Sequence, residues 1–418
     1  MRITSLLSTL LALKGIRILD ASFDAFGLLV DIAPTTRVPR CSGCGRKVHR
    51  VYDHYEGRTW RHLDFAGMEV HLRYDLRRVD CSLCGVRVER VPWAATKSWF
   101  THEFEDQTAY LAQRCDKTTV ATQMRIAWPT VGAIIERVCE RRRNGDELDG
   151  LTVIGVDELS YRRHHEYVTV VIDHARGAVV WVKPGKNADT LRAFFKELGP
   201  ERCARLEAVT IDMSQAYITA VSEASPQAKI IFDRFHVQRL AHDAVDEVRR
   251  EAVREADGKE EKAAVKKTRW ALLKNPWNLT PFERIKLVTL QRKNQPLYRA
   301  YLLKESLLDI LQRRQVHVAR TLLDDWLGWA SRSRLRPFVK LARTIRSHAE
   351  GILAYVASGL SNGRAEGLNG KIRTITRRSF GFHAADSLIA LIKLCCSGIR
   401  LQPVHNYPPN SPFAPTKH

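Results

Sequence analysis

Hydrophobic and polar positions alternate strictly in "MEVHLRYDLR" (68–77). Met68, Val70, Leu72, Tyr74 and Leu76 face one way; Glu69, His71, Arg73, Asp75 and Arg77 face the other. A period of two marks a half-buried strand, and this one runs on into Cys81. Between 100 and 143 the texture becomes helical. "EDQTAYLAQRC", "TTVATQMRI" and "PTVGAIIERVCERRR" predict three short helices, with a turn at Ile126–Trp128 and Pro129 suited to a first helical turn. Residues 150–236 alternate again. "TVIGVDE", "EYVTVVIDH" and "AVVWVKP" predict strands, "NADTLRAFFKELG" a helix capped by Asn187 or Asp189, "EAVTIDM" a strand, "SQAYITAVSEA" a helix and "AKIIFDRF" a strand. From 237 to 345 the chain is helical and basic, with Val237, Leu240, Ala241, Ala244, Val245 and Val248 on a 3.6 period. A last helix is expected near 386–397. "LLSTLLAL" (6–13) predicts an amphipathic helix. The Pro- and Asn-rich end reads as a disordered tail.

These textures divide the chain into an N-terminal segment (1–40), a cysteine-bearing domain (41–95), a three-helix domain (100–145), an α/β core (150–236 with 346–400), a helical stretch (237–345) and a tail (401–418). Charge changes the picture: 67 Lys and Arg stand against 46 Asp and Glu, a net +21. Such an imbalance favours a polyanionic partner, most often nucleic acid. No run reaches the roughly 18 apolar residues of a membrane span, and the first apolar stretch lacks the cleavage site of a signal peptide. A cytoplasmic, nucleoid-associated protein with no membrane partner and no small-molecule substrate is expected.

Four of the nine cysteines form "CSGC" (Cys41, Cys44) and "CSLC" (Cys81, Cys84). Two such pairs can supply the four corners of a tetrahedral, structural zinc site in a reducing compartment. Gly45 and Gly85 follow the second cysteine of each pair, where a knuckle turn needs backbone freedom. His49, His54, His62 and His71 are substitute ligands. The helices after this segment have the lengths of a helix-turn-helix, whose second helix enters the major groove, and end in Arg141, Arg142 and Arg143.

Asp157 is expected to end the apolar strand "TVIGV", and Asp212 the strand "AVTI". Paired carboxylates at strand ends of one sheet suit Mg²⁺ (or Mn²⁺), which also takes phosphate oxygens. A third acid, Glu366, lies in "SNGRAEGLNGKIR" (361–373), a helix weakened by its own glycines. On a 3.6 period Asn362, Glu366, Asn369, Gly370 and Arg373 share a face, so the glycines would let a DNA backbone approach. Three acids and two metals fit phosphodiester cleavage. Glu158, Asp173 and Asp233 are rivals, though "HARG" after Asp173 reads as a hairpin turn.

The segments "GVDELSYRRHHEYVTVVID", "WVKPGKNADTLRAFF", "VTIDMSQAYITAV", "IIFDRFHV" and "SNGRAEGLNGKIR…SFGFH", in that order behind two cysteine pairs, resemble bacterial insertion-sequence transposases of the DDE class. The nearest group carries an N-terminal zinc-binding segment and a helix-turn-helix (the ISL-three group). The resemblance covers about residues 40–400. It implies a multidomain α/β protein: a ribonuclease-H-like catalytic core with a large helical insertion, preceded by a zinc-ribbon-like segment and a helix-turn-helix. It implies Asp157, Asp212 and Glu366 as catalytic triad and magnesium ligands, and Asp233 and His236 as a supporting pair. The function expected is binding of the element's terminal inverted repeats, metal-dependent strand cleavage, and transfer of the 3′-hydroxyls to target DNA. Arg141, Arg142, Arg143, Arg364, Asn369, Lys371 and Arg373 are the expected DNA contacts, and a homodimer or higher oligomer is expected on double-stranded DNA. Trp270, Trp277, Trp326 and Trp329 are either core residues or platforms for a displaced base. Two alternatives stand beside this: a zinc-ribbon and helix-turn-helix regulator with a non-catalytic core, and a stand-alone ribonuclease-H-like nuclease.

Overall fold

The computed structural model describes residues 3–11, 15–143, 145–162, 166–360, 363–379, 382 and 384–403. The expected tail beyond 403 and Asn362 lie outside the described residues. Contacts divide the chain into two units: Met1–Gly145 with Ile375–His418, and Asp146–Thr374. The division falls inside the helix Gly363–Arg378, where the sequence placed the end of the α/β core at 400.

The first unit is built on five strands among its described residues: β1 (Ile16–Asp24), β2 (Gly27–Pro34), β3 (Val51–Phe65), β4 (Met68–Cys81) and β5 (Gly85–Val88). Their order is β1-β2-β4-β3, with β5 on the end of β4. The first two strands were not foreseen; the N-terminal segment joins the sheet rather than preceding it. A two-residue turn closes the β3–β4 hairpin. Ala66 and Gly67 both have positive φ (51° and 83°), as the tight turns that match strand twist require. The alternation of β4 is as expected through Leu76, with Val70 and Leu72 fully buried. Its parity then changes, so Val79 and Cys81 point into a second, smaller cluster with Cys41 and Val48. One strand thereby serves two cores, the larger formed by Val30, Ile32, Trp60, Leu72 and Trp93 with their neighbours.

Three helices follow: His102–Ala112, Lys117–Met124 and Trp128–Arg142. Thr101 and Asp116 cap the first two by accepting from Phe104 N and Thr119 N. The turn into the third begins one residue earlier than expected, at Arg125 in the left-handed region (φ 52°, ψ 48°). The helix Ala385–Cys396 belongs to this unit: Gln113 Nε2 donates to Leu394 O (2.8 Å) and Ile399 O (3.1 Å).

His62, a candidate ligand in sequence, is instead buried, its Nδ1 2.9 Å from Thr101 Oγ1. Burial pushes its pKa down to about 4. A histidine held neutral in the fold but protonated when unfolded costs stability as pH falls from about 6.5 to about 4, by up to about 3 kcal/mol. Denaturant melts across that window should show this slope in the wild type, and a shallower one in His62→Gln.

The second unit carries β6 (Val153–Arg162), β7 (Glu166–Asp173), β8 (Ala178–Pro184), β9 (Ala208–Ile211) and β10 (Lys229–Phe232), in the order β10-β9-β6-β7-β8. The first three form an antiparallel meander; β9 and β10 add in parallel to β6. The helices Ala188–Leu198 and Gln215–Ala224 connect β8 to β9 and β9 to β10. Asn187 is the cap of the former, accepting from Thr190 N at 2.9 Å. Asp173 is a turn residue, accepting from Ala175 N. From Arg234 to Ser358 the unit is helical, and its core is continuous with that of the sheet. Trp326 is a core residue whose Nε1 donates to Leu303 O (2.8 Å). No helix among the described residues is long and apolar enough to cross a membrane.

Candidate active site and cysteine cluster

Parallel pairing sets where the acids fall. The last β6–β9 pair is Gly155 with Thr210, and the last β9–β10 pair is Ile211 with Phe232. Continuing that register, Asp157, Asp212 and Asp233 occupy one row across three neighbouring strands, whose spacing is about 4.8 Å. The row lies just past the carboxyl ends of β9 and β10, where open α/β sheets place their ligands. Asp157 does not end its strand, as the sequence suggested. β6 continues to Arg162 because its other edge stays paired to β7 through Glu166. What stops at Gly155 is the pairing with β9, and this frees Asp157 on that side.

Each acid is locally anchored. Asp157 Oδ1 accepts from Glu158 N (2.7 Å), Asp212 Oδ1 from Ser214 N (3.0 Å), and Asp233 Oδ1 from Phe235 N (3.1 Å), so Asp233 also caps the helix Arg234–Glu255. Glu366 lies in the first turn of the helix Gly363–Arg378. Three residues on, Asn369 Nδ2 donates to Asp157 Oδ2. That bond docks the Glu366 helix on β6. Asn369 is 6% exposed, so it is a positioning residue for Asp157 and not the phosphate contact expected from sequence. Its buried Oδ1 has no protein partner.

The electrostatics are those of crowded acids. Burial pushes the Asp157 carboxyl up; the Glu158 N–H, His236 and Asn369 pull it back, and Asp233 pushes further. Glu158 is raised by burial, opposed by the Tyr217 hydroxyl, and raised again by Asp212 and Asp157. Glu366 is raised by burial and by Asp233, against Arg234 and Arg373. Asp233 thus bears electrostatically on both Asp157 and Glu366, and His236 on Asp157. Glu158, next to Asp157 on β6, points to the opposite face of the sheet, where its cross-strand neighbour Thr169 Oγ1 lies 3.0 Å from the buried Tyr217 hydroxyl. Glu158 was a rival acid in the sequence; nothing there singled out Tyr217. Among the described residues, the three acids Asp157, Asp212 and Glu366 do not close into a metal-sized group by themselves; the cysteines do.

Cys41, Cys44, Cys81 and Cys84 bring their sulfurs within 4.8 Å of one another. Four sulfurs about 2.3 Å from one zinc would lie about 3.8 Å apart, so the cluster fits the ion. Gly45 (φ 71°) and Gly85 (φ 68°) make the two knuckle turns. A Cβ on Gly43 would come within 3.1 Å of Cys84 Sγ. The N–H groups of Leu83 and Cys84 lower the Cys81 thiol to about 7, while the Cys44 sulfur and burial push Cys84 up to about 12. Among the described residues, no histidine joins the group.

The expected DNA contacts divide. Arg141 reaches Glu105 (2.6 Å) and Asp106 (2.5 Å), and Arg142 pairs with Asp106. Glu105 is fully buried and also holds Arg137 (2.7 Å) and Ser98 Oγ (2.9 Å). Arg141 therefore ties the first helix of the trio to the third, and is not free to meet phosphate. Arg143, Lys371 and Arg373 are exposed; the side chain of Arg364 lies outside the described part.

A family model described as "Transposase" matches residues 154–392. One described as "zinc-finger of transposase IS204/IS1001/IS1096/IS1165" matches 37–84, and one described as "Helix-turn-helix domain of transposase family ISL3" matches 89–139. The chain is 39% identical, over an alignment of 416 residues spanning 93% of each chain, to the "Transposase for insertion sequence element IS1557" of Mycobacterium tuberculosis. It is 29% identical over 374 residues, 89% of this chain and 92% of the relative, to the "Transposase for insertion sequence element IS1001" of Bordetella parapertussis. The chain belongs to the ISL3 family of insertion-sequence transposases.

Proposed function

We propose that this transposase binds the terminal inverted repeats of its own element, cuts at their ends with a divalent cation, and joins the freed 3′-hydroxyls to target DNA. The observation that carries this reading is the row of Asp157, Asp212 and Asp233 at the ends of parallel strands, with the Glu366 helix bonded through Asn369 to Asp157. An antiparallel meander followed by two parallel strands, with the acids on the central strand and its neighbour, supports a ribonuclease-H-like core. The helical stretch after Asp233 is then an insertion between the second and third acids.

Asp157, Asp212 and Glu366 would hold Mg²⁺ or Mn²⁺. The raised carboxyls and the unpartnered Asn369 Oδ1 fit a site whose negative charge awaits a cation. When bound, the cation would activate a water or 3′-hydroxyl and stabilise the leaving oxygen. Asn369 and the Glu158 N–H fix the orientation of Asp157. Asp233 and His236 set the charge around it, and Arg364, Lys371 and Arg373 would pair with phosphate beside Glu366. The helix-turn-helix, with exposed Arg143 at its end, would supply contacts to the repeats. Two element ends cut together imply a homodimer or higher oligomer on DNA.

The test is a cleavage assay with purified protein, Mg²⁺ and duplexes carrying the inverted repeats that flank its gene. Nicks at the repeat ends are expected. Binding without cutting under all divalent-cation conditions would favour a regulator with a non-catalytic core.

The glycines beside Glu366 give a separate prediction. A Cβ at Gly367 or Gly370 would meet nothing within 4 Å. Glycine in a helix interior costs about 1 kcal/mol against alanine. The double variant Gly367→Ala, Gly370→Ala should therefore be more stable by about 2 kcal/mol, yet cut more slowly if that open face admits the DNA backbone. Thermal melts and the cleavage assay read the two effects.

A further inference from the structure

We propose that the Arg269–Lys293 surface of the helical stretch is a stacking platform for unpaired bases of a DNA strand. The inference rests on the reading of this protein as one that cuts DNA ends, but its evidence is separate from the acids. Trp270, Trp277, Phe282 and Ile285 are 62%, 65%, 66% and 63% exposed, four large apolar side chains within sixteen residues. They sit on well-anchored elements. Leu272, Leu279, Leu287 and Leu290 are buried beneath them. Thr280 and Glu283 form a capping box at the start of the helix Pro281–Lys293. Lys274 Nζ reaches Glu283 Oε1 (2.7 Å), and Lys286 Nζ donates to Lys267 O (3.1 Å), tying the helix Pro281–Lys293 to the residues on either side of the short helix Arg269–Leu273.

Charge selects the partner. Residues 258–293 contain ten lysines and arginines against three glutamates. The cations lie beside the rings: Arg269 is 5.5 Å from the Trp270 ring centre, and Lys286 is 4.4 Å from that of Phe282. A surface for another protein chain is ordinarily depleted of lysine. Aromatic faces alternating with cations match a single nucleic-acid strand, whose bases stack on the rings while its phosphates meet the charges. In an intact duplex the base faces are covered by their neighbours, so the occupant is unpaired DNA.

The experiment measures binding by the full-length protein in EDTA, where no strand is cut. Probes are a labelled thymidine oligonucleotide, an abasic oligonucleotide of equal length and a duplex. Trp270→Ala, Trp277→Ala should bind the thymidine strand about tenfold more weakly, with unchanged affinity for the abasic strand and the duplex. Trp270→Phe, Trp277→Phe should restore binding, which separates stacking from misfolding. Equal loss on the abasic strand, or no loss on thymidine, overturns the proposal. So does a change from dimer to monomer in sedimentation with thymidine affinity intact, because the surface then belongs to a second copy. Asp157→Asn should bind the thymidine strand like the wild type. A protein that binds this strand yet never cuts element ends would leave the platform standing and remove the catalytic reading; one that cuts without binding it would do the reverse.

Discussion

Cys81→Ser is expected to unfold the cysteine knuckle and β5 with it while leaving the rest of the sheet intact. The local core there is only Cys41, Val48, Val79 and Cys81, too little apolar surface to hold two turns together. Binding of a structural zinc contributes on the order of 10 kcal/mol in small sites, so the metal sets the stability of this region. The larger core around Trp60, Leu72 and Trp93 needs no metal. Hydrogen exchange should therefore lose protection at 41–48 and 81–88, in the variant or after chelation, while the amides of Val70 and Leu72 stay protected. Zinc content should fall from one ion per chain to none. Uniform loss of protection across the unit would mean that the metal holds the whole sheet, and unchanged protection would mean that it holds nothing.

The larger effect is expected at the acids. Asp157→Asn, Asp212→Asn and Glu366→Gln should each retain DNA binding and lose cleavage. A metal ion supplies several kcal/mol of transition-state stabilisation, and about 1.4 kcal/mol is a factor of ten. A loss of about a thousandfold or more is the expected scale. The sign for stability is opposite. The folded-state pKa of Asp157 is raised, so the fold favours its protonated form; that contribution is present at low pH and is lost as pH rises through the folded value. Above that folded value the charged acid is a burden to the fold. Asp157→Asn should thus melt at the same or a higher temperature than the wild type, and a cleavage defect cannot then be assigned to unfolding. The same sign predicts that cleavage weakens in mild acid, as raised carboxyls protonate and give up their cation.

Much of this was legible from pattern alone. The strict alternation at 68–77 and the apolar runs of 150–236 locate β4 and the order of β6 to β10, because burial on one or both faces leaves that trace in sequence. The cysteine pairs were legible from spacing. β1 was not, since its Leu19 and Phe23 are largely exposed and no clean alternation marks them. The ion pairs of Arg141 were invisible, because Glu105 lies thirty-six residues away and a charge run at a helix end looks the same whether solvated or paired. Asn369 was placed on the correct helix face but given the wrong partner; only the docking of that helix on β6 shows that it serves Asp157. The row of Asp157, Asp212 and Asp233 required strand register, which single-sequence patterns do not carry across parallel crossovers.

Asp157 is expected to bind the catalytic cation directly. Metal-specificity exchange tests it: Asp157→Cys assayed for cleavage at element ends in Mg²⁺ and in Mn²⁺. Magnesium prefers oxygen ligands and manganese tolerates sulfur better, so we expect the variant to be inactive with Mg²⁺ and to recover measurable cutting with Mn²⁺, while the wild type cuts in both. Cleavage by Asp157→Cys in Mg²⁺ at the wild-type rate would mean that Asp157 does not hold the cation.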